Sequence, residues 1–352
     1  MSRLKDRLIA QIRLSGPMTV AQYMTACLHD PDHGYYATRP ALGAEGDFIT
    51  APLVSQMFGE LIGLWAVETW MRLGSPERLR LVEIGPGDGT LMADALRAAG
   101  LSAAFSAAAE PWMVETSAPL AEVQRRRLGA RGQWAASLDA VPAGAPIILI
   151  ANELLDCLPA RQFVRLPGGW AERMVGLDAD GALAFGLTGT PIDRALPTAE
   201  EGAIFELCPG QEAMGRLIGS RLAADGGAAL LIDYGRDGPD FGDTLQALSQ
   251  HRKQSPLENP GEADLTVHVD FPAVAQAARS AGSASTPILA QGEFLGRLGI
   301  GARAEKLIRS HPDRADQIGR QLLRLTDRAE MGTLFKVLCL HEPGLQPPGF
   351  ES

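Results

Sequence analysis

The chain has 352 residues, of which 46% are hydrophobic, so it can bury a large core as one elaborated domain or two. Its formal net charge of −10 argues against a nucleic-acid-binding protein, which usually presents a basic patch or stripe. No apolar run approaches the ~18 residues that a membrane-spanning helix requires, so we expect no stable membrane insertion.

The cysteines indicate a reducing environment. Four occur at widely spaced positions: Cys27, Cys157, Cys208 and Cys339. They form no C-x-x-C motif and no metal-ligand spacing, so we expect free thiols and no metal. Residues 1–14 alternate basic with aliphatic residues and lack a secretory apolar region. Their arginine-rich amphipathic pattern slightly resembles a transit peptide, but a docked first helix is the simpler interpretation. The sequence therefore predicts a cytoplasmic protein.

Residues 1–78 are predicted to form a mainly helical segment. Apolar residues at helical spacing predict helices over Leu4–Leu14, Val20–Leu28 and Val54–Leu73. The loop Pro31–Pro52, which carries glycines and aromatic residues, lies between the last two of these helices.

From Arg80 onward, predicted strands and helices alternate, as in a doubly wound parallel sheet of the Rossmann-like α/β class. The predicted strands are Leu81–Ile84, Pro111–Glu115, a weak one near Gln133-Trp134, Pro146–Ala151 and Ala228–Tyr234. A helix over Ala315–Arg328 and a final strand Thr333–Leu340 follow, and we expect that strand to pair antiparallel with its neighbour.

Residues 162–207 interrupt this alternation. Three short strands, Gln162–Leu166, Glu172–Leu177 and Ala182–Leu187, are joined by glycine-containing turns and predict an inserted antiparallel meander. The predicted organisation has four parts: residues 1–78 as a helical segment, 79–161 as the cofactor-binding core, 162–207 as the meander, and 208–352 as the remainder of the core with C-terminal helices and a strand.

The stretch Leu81–Thr90, Leu-Val-Glu-Ile-Gly-Pro-Gly-Asp-Gly-Thr, joins an apolar strand to a helix predicted over Leu91–Ala99. Glycines permit positive φ and let a ligand approach the bare backbone. The helix behind them offers unpaired N–H groups and a positive dipole end. The stretch therefore predicts a nucleotide-type cofactor site.

The glycine spacing favours S-adenosylmethionine (SAM) over a dinucleotide. A dinucleotide loop needs glycine at its first, third and sixth positions, but after Gly85 and Gly87 the next glycine comes early, at Gly89. Glu115 closes the second predicted strand and is placed to accept the ribose hydroxyls. Glu83 would favour the cationic ammonium and sulfonium, by up to roughly 4 kcal/mol at ~4 Å before desolvation. An NAD-linked oxidoreductase remains the alternative.

Asn152-Glu153-Leu154-Leu155-Asp156 follows the fourth predicted strand. Ligands of open α/β sheets lie beyond the carboxyl ends of the strands, so these polar side chains are expected to face the transferred methyl group. The alternative is a helix N-cap at Asn152, with Glu153 and Asp156 complementing the helix dipole.

Two further groups are less specific. Asp47 and Phe48 lie in a polar loop before the helix that carries Glu60, and Phe48 with Tyr35-Tyr36 would wall a pocket unless they are turn and core residues. His268 and Asp270 would share one strand face as an acid–base pair, although a structural histidine is the simpler interpretation.

Five ordered motifs between about residues 5 and 340 resemble one family, the MidA-like SAM-dependent methyltransferases. They are His29–Tyr36, Gly46–Pro52 with Ser55–Glu60, the glycine loop, Asn152–Asp156 with Leu158-Pro159, and His268–Phe271. The resemblance implies a class I methyltransferase fold with an N-terminal helical segment and an inserted β-rich lobe. It also implies a protein arginine N-methyltransferase that uses SAM and acts on a respiratory complex I subunit, here a bacterial-type member.

The resemblance implies that Gly85, Gly87 and Gly89 form the SAM loop, that Glu115 holds the ribose, and that Asn152, Glu153 and Asp156 line the acceptor side. We predict a cofactor-binding set of Glu83, Gly85, Pro86, Gly87, Gly89, Thr90, Glu115 and Asn152. The carboxylates predicted to orient the acceptor guanidinium are first Glu153 and Asp156, with Asp47 and Glu60 behind them. The chain departs from the family at Leu53, where an acid is usual. A small-molecule methyltransferase and a non-catalytic complex I assembly factor are the alternatives, and a homodimer is compatible with the resemblance.

Overall fold

The computed structural model describes residues 3–38, 50–189, 196–238, 240–249 and 252–351. Asp47 and Phe48 lie outside the described residues. The N-terminal elements are α1 (Arg3–Ser15), β1 (Met18–Thr19), α2 (Val20–His29), α3 (Tyr35–Thr38), α4 (Ala51–Val54) and α5 (Gln56–Arg72). The predicted helices over Leu4–Leu14 and Val20–Leu28 are confirmed by α1 and α2.

The helix predicted over Val54–Leu73 is confirmed by α5, but it begins two residues later, at Gln56, because Ser55 separates α4 from α5. Ser55 has extended backbone (φ −162°, ψ 138°), and its hydroxyl accepts the Met57 N–H at 3.3 Å, which caps α5. A serine hydroxyl competes with the helical backbone and therefore favours a helix start over a helix interior.

A central sheet carries the rest of the core. Its elements up to the meander are β2 (Leu79–Ile84), α6 (Thr90–Ala99), α7 (Ala103–Ala108), β3 (Ala109–Val114), α8 (Ala118–Leu128), β4 (Gln133–Ala135) and β5 (Ile147–Asn152). The meander region contains β6 (Arg161–Leu166), β7 (Gly169–Leu177), β8 (Leu183–Leu187) and β9 (Ile204–Leu207).

The C-terminal part supplies the remaining strands and helices. These are α9 (Pro209–Asp225), β10 (Gly227–Arg236), β11 (Gln246–Ser249), β12 (Arg252–Gln254), β13 (Asp264–Thr266), β14 (Val269–Asp270), α10 (Phe271–Ser280), β15 (Ala284–Ser285), β16 (Leu289–Ala290), α11 (Gln291–Arg297), α12 (Ile300–Ser310), α13 (Ala315–Thr326), α14 (Met331–Leu334) and β17 (Phe335–His341). Among the described residues, no helix combines the length and apolar character needed to cross a membrane.

The central sheet has the order β15-β17-β10-β5-β2-β3-β4. The run from β10 to β4 is parallel, and β17 pairs antiparallel with β10. The predictions of a doubly wound parallel sheet and an antiparallel last strand are therefore confirmed. The chain adds β3 and β4 on one side of β2 and β5 and β10 on the other, so the strand order reverses beside β2, where such sheets bind ligands.

The predicted meander is confirmed, since β7 pairs antiparallel with both β6 and β8. Two of its partners were not predicted. β9 adds to the outer side of β6, and β1 pairs with β7 through Met18 and Val175. A core that includes Leu8, Tyr23, Val175 and Leu265 packs the N-terminal helices against the meander and the small sheet β12-β11-β13.

Candidate active site

A cavity of about 430 Å³ lies beyond the carboxyl ends of β2, β3 and β5, at the point where the strand order reverses. The structure brings most of the predicted site residues together there. Those lining the cavity are Glu83, Gly85, Pro86, Gly87, Thr90, Glu115, Asn152, Glu153 and Asp156. Gly89 lies behind the lining residues as the N-cap of α6, in the left-handed conformation (φ 81°).

The glycine loop turns the chain sharply from β2 into α6. Gly85 and Gly87 have φ of 65° and 53°, which disfavours any residue with a side chain. The Gly85 N–H donates to the Val114 carbonyl at 3.0 Å, and Asp88 accepts the Thr90 N–H at 3.0 Å. The loop therefore presents backbone without side chains to the cavity, and these hydrogen bonds hold the loop in place.

Glu115, directly after β3, is held by two hydrogen bonds. One carboxylate oxygen accepts the Ser117 N–H at 2.7 Å, and the other accepts the Gln124 amide at 3.1 Å. Gln124 also donates to the Gly87 carbonyl at 2.8 Å and accepts the Trp134 indole N–H at 2.9 Å. Gln124 thus ties the glycine loop to Glu115.

Gln124 was missed from the sequence. It is fully buried on the same face of α8 as Leu120 and Leu128. The sequence does carry a signal for Gln124, which is a polar side chain at an otherwise apolar position of the helix. Such a side chain indicates a specific role, because buried amides need hydrogen-bond partners.

Three buried polar atoms of cavity-lining residues lack hydrogen-bond partners among the described residues. They are Glu83 Oε2, Asn152 Oδ1 and the Tyr234 hydroxyl. Burial, followed by the nearby Asp88 charge, raises the pKa of Glu83 to about 8. Buried acceptors in native proteins are normally satisfied, so the Glu83 and Asn152 oxygens indicate a ligand that carries N–H donors or positive charge.

The segment after β5 is a turn, and the helix N-cap predicted as an alternative at Asn152 is wrong, because no helix begins there. Glu153 has φ 51°, in the left-handed region. Its Oε1 accepts the Ala51 N–H at 2.9 Å and the Asn152 amide at 3.2 Å. Asp156 is buried three residues further along. Burial raises the pKa of Glu153 to about 7 and that of Asp156 to about 6.

Tyr36, predicted from the sequence to wall a pocket, lines the cavity, and its hydroxyl donates to Asp264 at 2.9 Å. Asp264 and Tyr234 also line the cavity and were not predicted as site residues. Burial, followed by the charge of Asp156, raises the pKa of the Tyr234 phenol. Tyr234 lies near the carboxyl end of β10, so the strand-end rule that selected Asn152 would also have selected it.

The remaining candidates lie outside the cavity lining. Glu60, placed behind the acceptor side from the sequence, is buried in α5 and pairs with Arg97 at 2.5 Å and Arg303 at 2.6 Å. Asp270 caps α10 through the Ala273 N–H and pairs with Arg236 at 2.6 Å. His268 packs its ring edge against Tyr234. His268 and Asp270 therefore make structural contacts with other residues, in place of the predicted acid–base pair.

Comparison with known proteins identifies the family. A family model described as an S-adenosyl-L-methionine-dependent methyltransferase matches residues 61–289. The chain belongs to this family. The methyltransferase is 36% identical to the Drosophila melanogaster protein named protein arginine methyltransferase NDUFAF7 homolog, mitochondrial, over 97% of this chain and 85% of that protein. It is 34% identical to the human protein arginine methyltransferase NDUFAF7, mitochondrial, over 95% of this chain and 82% of that protein.

A solved structure from Burkholderia thailandensis, with S-adenosyl-homocysteine bound, resembles the methyltransferase over its whole length. The TM-score is 0.83 at 29% identity, and the match covers 99% of this chain and 92% of that one. The predicted class I methyltransferase fold and the SAM cofactor are thereby confirmed. The NAD-linked alternative is wrong.

The predicted cytoplasmic location is contradicted by the curated relatives, which are named as mitochondrial proteins. The prediction rested on the cysteines and on the lack of a secretory apolar region in residues 1–14. All four cysteines are free in the structure. Free cysteines indicate reducing conditions but do not distinguish one reducing compartment from another.

SAM fits the residues present. The cavity volume lies in the range of small-molecule sites. The unpaired Glu83 and Asn152 oxygens offer partners to a cationic ligand with N–H donors. The glycine loop leaves room for it, since a Cβ added at Gly87 would meet no protein atom within 4 Å.

Proposed function

We propose that this methyltransferase transfers methyl groups to the guanidinium nitrogens of arginine in a protein, and that the protein is a subunit of respiratory complex I. The observation that carries the proposal is the charge at the acceptor end of the cavity. Glu153, Asp156 and Asp264 line it as carboxyl groups, and among the described residues no lysine or arginine does. Paired carboxylates suit a planar cationic fork. The names of the curated relatives agree with arginine as the acceptor, and the family resemblance implies the complex I subunit.

On the cofactor side we propose that the glycine loop and Thr90 receive the methionine portion, that Glu115 accepts the ribose hydroxyls, and that Glu83 with Asn152 holds the ammonium. Bound SAM supplies a methyl group that its sulfonium has already activated. The protein then contributes positioning and electrostatics. Gln124 supports this arrangement because it fixes the Glu115 carboxylate relative to Gly87.

On the acceptor side, Glu153 and Asp156 accept N–H bonds from the guanidinium and draw its positive charge away from the attacking nitrogen. Guanidinium is protonated at every working pH, so one proton must leave as the nitrogen gains a methyl group. A carboxylate whose pKa is raised to about 7, as at Glu153, is suited to take that proton. Leu53 also lines the cavity, and we propose that this apolar side chain packs on the acceptor instead of pairing with its charge.

The test uses protein extract from a host strain that lacks the gene. We expect the purified protein to transfer label from tritiated SAM into methylarginine, with mass spectrometry placing the mark in a complex I subunit. Label found only in small molecules would favour the small-molecule alternative. SAM binding without transfer to any acceptor would favour a non-catalytic assembly factor.

Relative to Glu83→Gln, the wild-type protein is expected to gain SAM affinity as the pH rises from about 7 to 9, because Glu83 ionises near its pKa of about 8 and then attracts the cationic ligand. The ammonium of SAM titrates in a similar range, but it does so equally with both proteins. An ionised partner at ~4 Å contributes at most roughly 4 kcal/mol, and desolvation reduces this, so we expect a gain of about tenfold. Calorimetric titration across this range measures it.

Glu83→Gln keeps the side-chain shape and removes the Glu83 titration, so it is expected to lack this gain. A profile of the same shape in the variant would assign the titrating group elsewhere.

A further inference from the structure

Asp233 is a buried acid that the proposed reaction has not used. It lies in β10 with 1% of its surface exposed, and it does not line the cavity. Its Oδ2 accepts three consecutive backbone N–H groups, from Leu154 at 3.1 Å, Leu155 at 2.9 Å and Asp156 at 3.3 Å. Its Oδ1 accepts the Tyr234 N–H at 2.9 Å. Consecutive backbone N–H groups that converge in this way form an anion-binding concavity.

The turn that Asp233 holds is one that the chain does not favour by itself. Glu153 occupies left-handed backbone without being glycine, a conformation that persists only where the surroundings impose it. No helix follows Asn152, so the N–H groups of residues 154–156 have no helical partners. Leu155 and Asp156 are buried, and without Asp233 their N–H groups would lie buried without an acceptor.

The two acceptor-side carboxyls flank this clamped segment. Glu153 precedes the first bound N–H, and Asp156 carries the last. The Glu153 N–H is itself held by the Ile232 carbonyl at 2.9 Å, the residue before Asp233. The end of β10 therefore fixes both the start and the end of the turn from which these carboxyls project.

We propose that Asp233 is a positioning residue for methyl transfer, which clamps residues 154–156 so that the Glu153 and Asp156 carboxyls face the acceptor. The inference rests on the proposed function for what the acceptor is, but the clamp and its effect on the two carboxyls can be measured separately. Asp233 acts through the backbone and has no contact with the reacting atoms.

Three variants test the clamp. Asp233→Asn keeps an oxygen for the three N–H groups, Asp233→Leu has a similar size but accepts none, and Glu206→Gln is the matched control. Glu206 is a buried carboxyl in β9 that hydrogen-bonds Gln162 and Thr244 and lies outside the cavity lining. Its substitution reports the general cost of altering a buried acid.

Hydrogen exchange of the Leu154–Asp156 amides is expected to accelerate in Asp233→Leu, less in Asp233→Asn, and not in Glu206→Gln. With saturating SAM, the methyl-transfer rate into the extract is expected to fall about tenfold in Asp233→Leu, part of the 10²-fold that a 1 Å misplacement can cost. Asp233→Asn is expected to retain most of the wild-type methyl-transfer rate. S-adenosyl-homocysteine affinity should be unchanged in all three.

A wild-type rate in folded Asp233→Leu would overturn the inference, as would an equal loss in Glu206→Gln. If the wild-type protein methylates no arginine, the proposed function fails, but the clamp is still decided by a crystal structure of Asp233→Leu. Glu153 and Asp156 carboxyls displaced from their positions in the cavity would support the clamp. Unmoved carboxyls would overturn it.

Discussion

Glu153→Gln is expected to lower kcat for methyl transfer by roughly 10²- to 10⁴-fold, the range of a lost acid–base group, while SAM affinity stays near that of the wild type. Glutamine retains the Oε1 that accepts the Ala51 and Asn152 N–H groups, so the turn after β5 keeps its support. The variant loses the negative charge that orients the guanidinium and the site that takes its proton. Initial rates with tritiated SAM, together with calorimetry of SAM binding, measure the two effects separately.

The pH profile provides a second check on the same residue. In the wild type, kcat/KM is expected to rise with pH through about 6 to 7, because Asp156 and Glu153 bind a cation only after they lose their protons. Glu153→Gln should remove the upper part of that rise, whereas the Glu206→Gln control should keep the whole profile. Undiminished turnover in a folded Glu153→Gln protein would exclude Glu153 from the reaction.

The sheet and the cofactor loop were predictable because their signals are local. β5 and β10 are covered on both faces, so their sequences read as continuous apolar runs. The glycines after β2 mark positions where the backbone needs positive φ. In both cases the residue type follows from the conformation or the burial of that same residue.

Features that depend on strand order were not predictable. Asp233 meets the N–H groups of residues 154–156 only because β10 lies beside β5, although 77 to 79 residues separate the partners in sequence. The pairing of β1 with β7 is also non-local. Asn152 is a residue type typical of a helix N-cap. In the structure the N–H groups of residues 153–156 bond instead to Ile232 and Asp233, and no helix forms. At this position, tertiary hydrogen bonds outweigh the local propensity to start a helix.

Gly87→Ala is expected to weaken binding of S-adenosyl-homocysteine, with little other change at the site. Gly87 lines the cavity with φ 53°, and a Cβ there would meet no protein atom within 4 Å. The added methyl group would therefore project into open space that we assign to the cofactor. Overpacking a close contact costs about 1–3 kcal/mol, which corresponds to roughly a 5- to 150-fold rise in Kd.

The backbone strain of this substitution can be separated from its effect on the ligand. Gly144 is exposed and also has positive φ (82°) with open space around its Cβ, but it lies outside the cavity lining. Both alanine variants should lose a similar free energy of unfolding, about 1–2 kcal/mol for left-handed backbone. Only Gly87→Ala should raise the Kd for S-adenosyl-homocysteine. Because the strain is common to both proteins, an equal Kd in the two variants would mean that the cofactor does not approach the loop at Gly87.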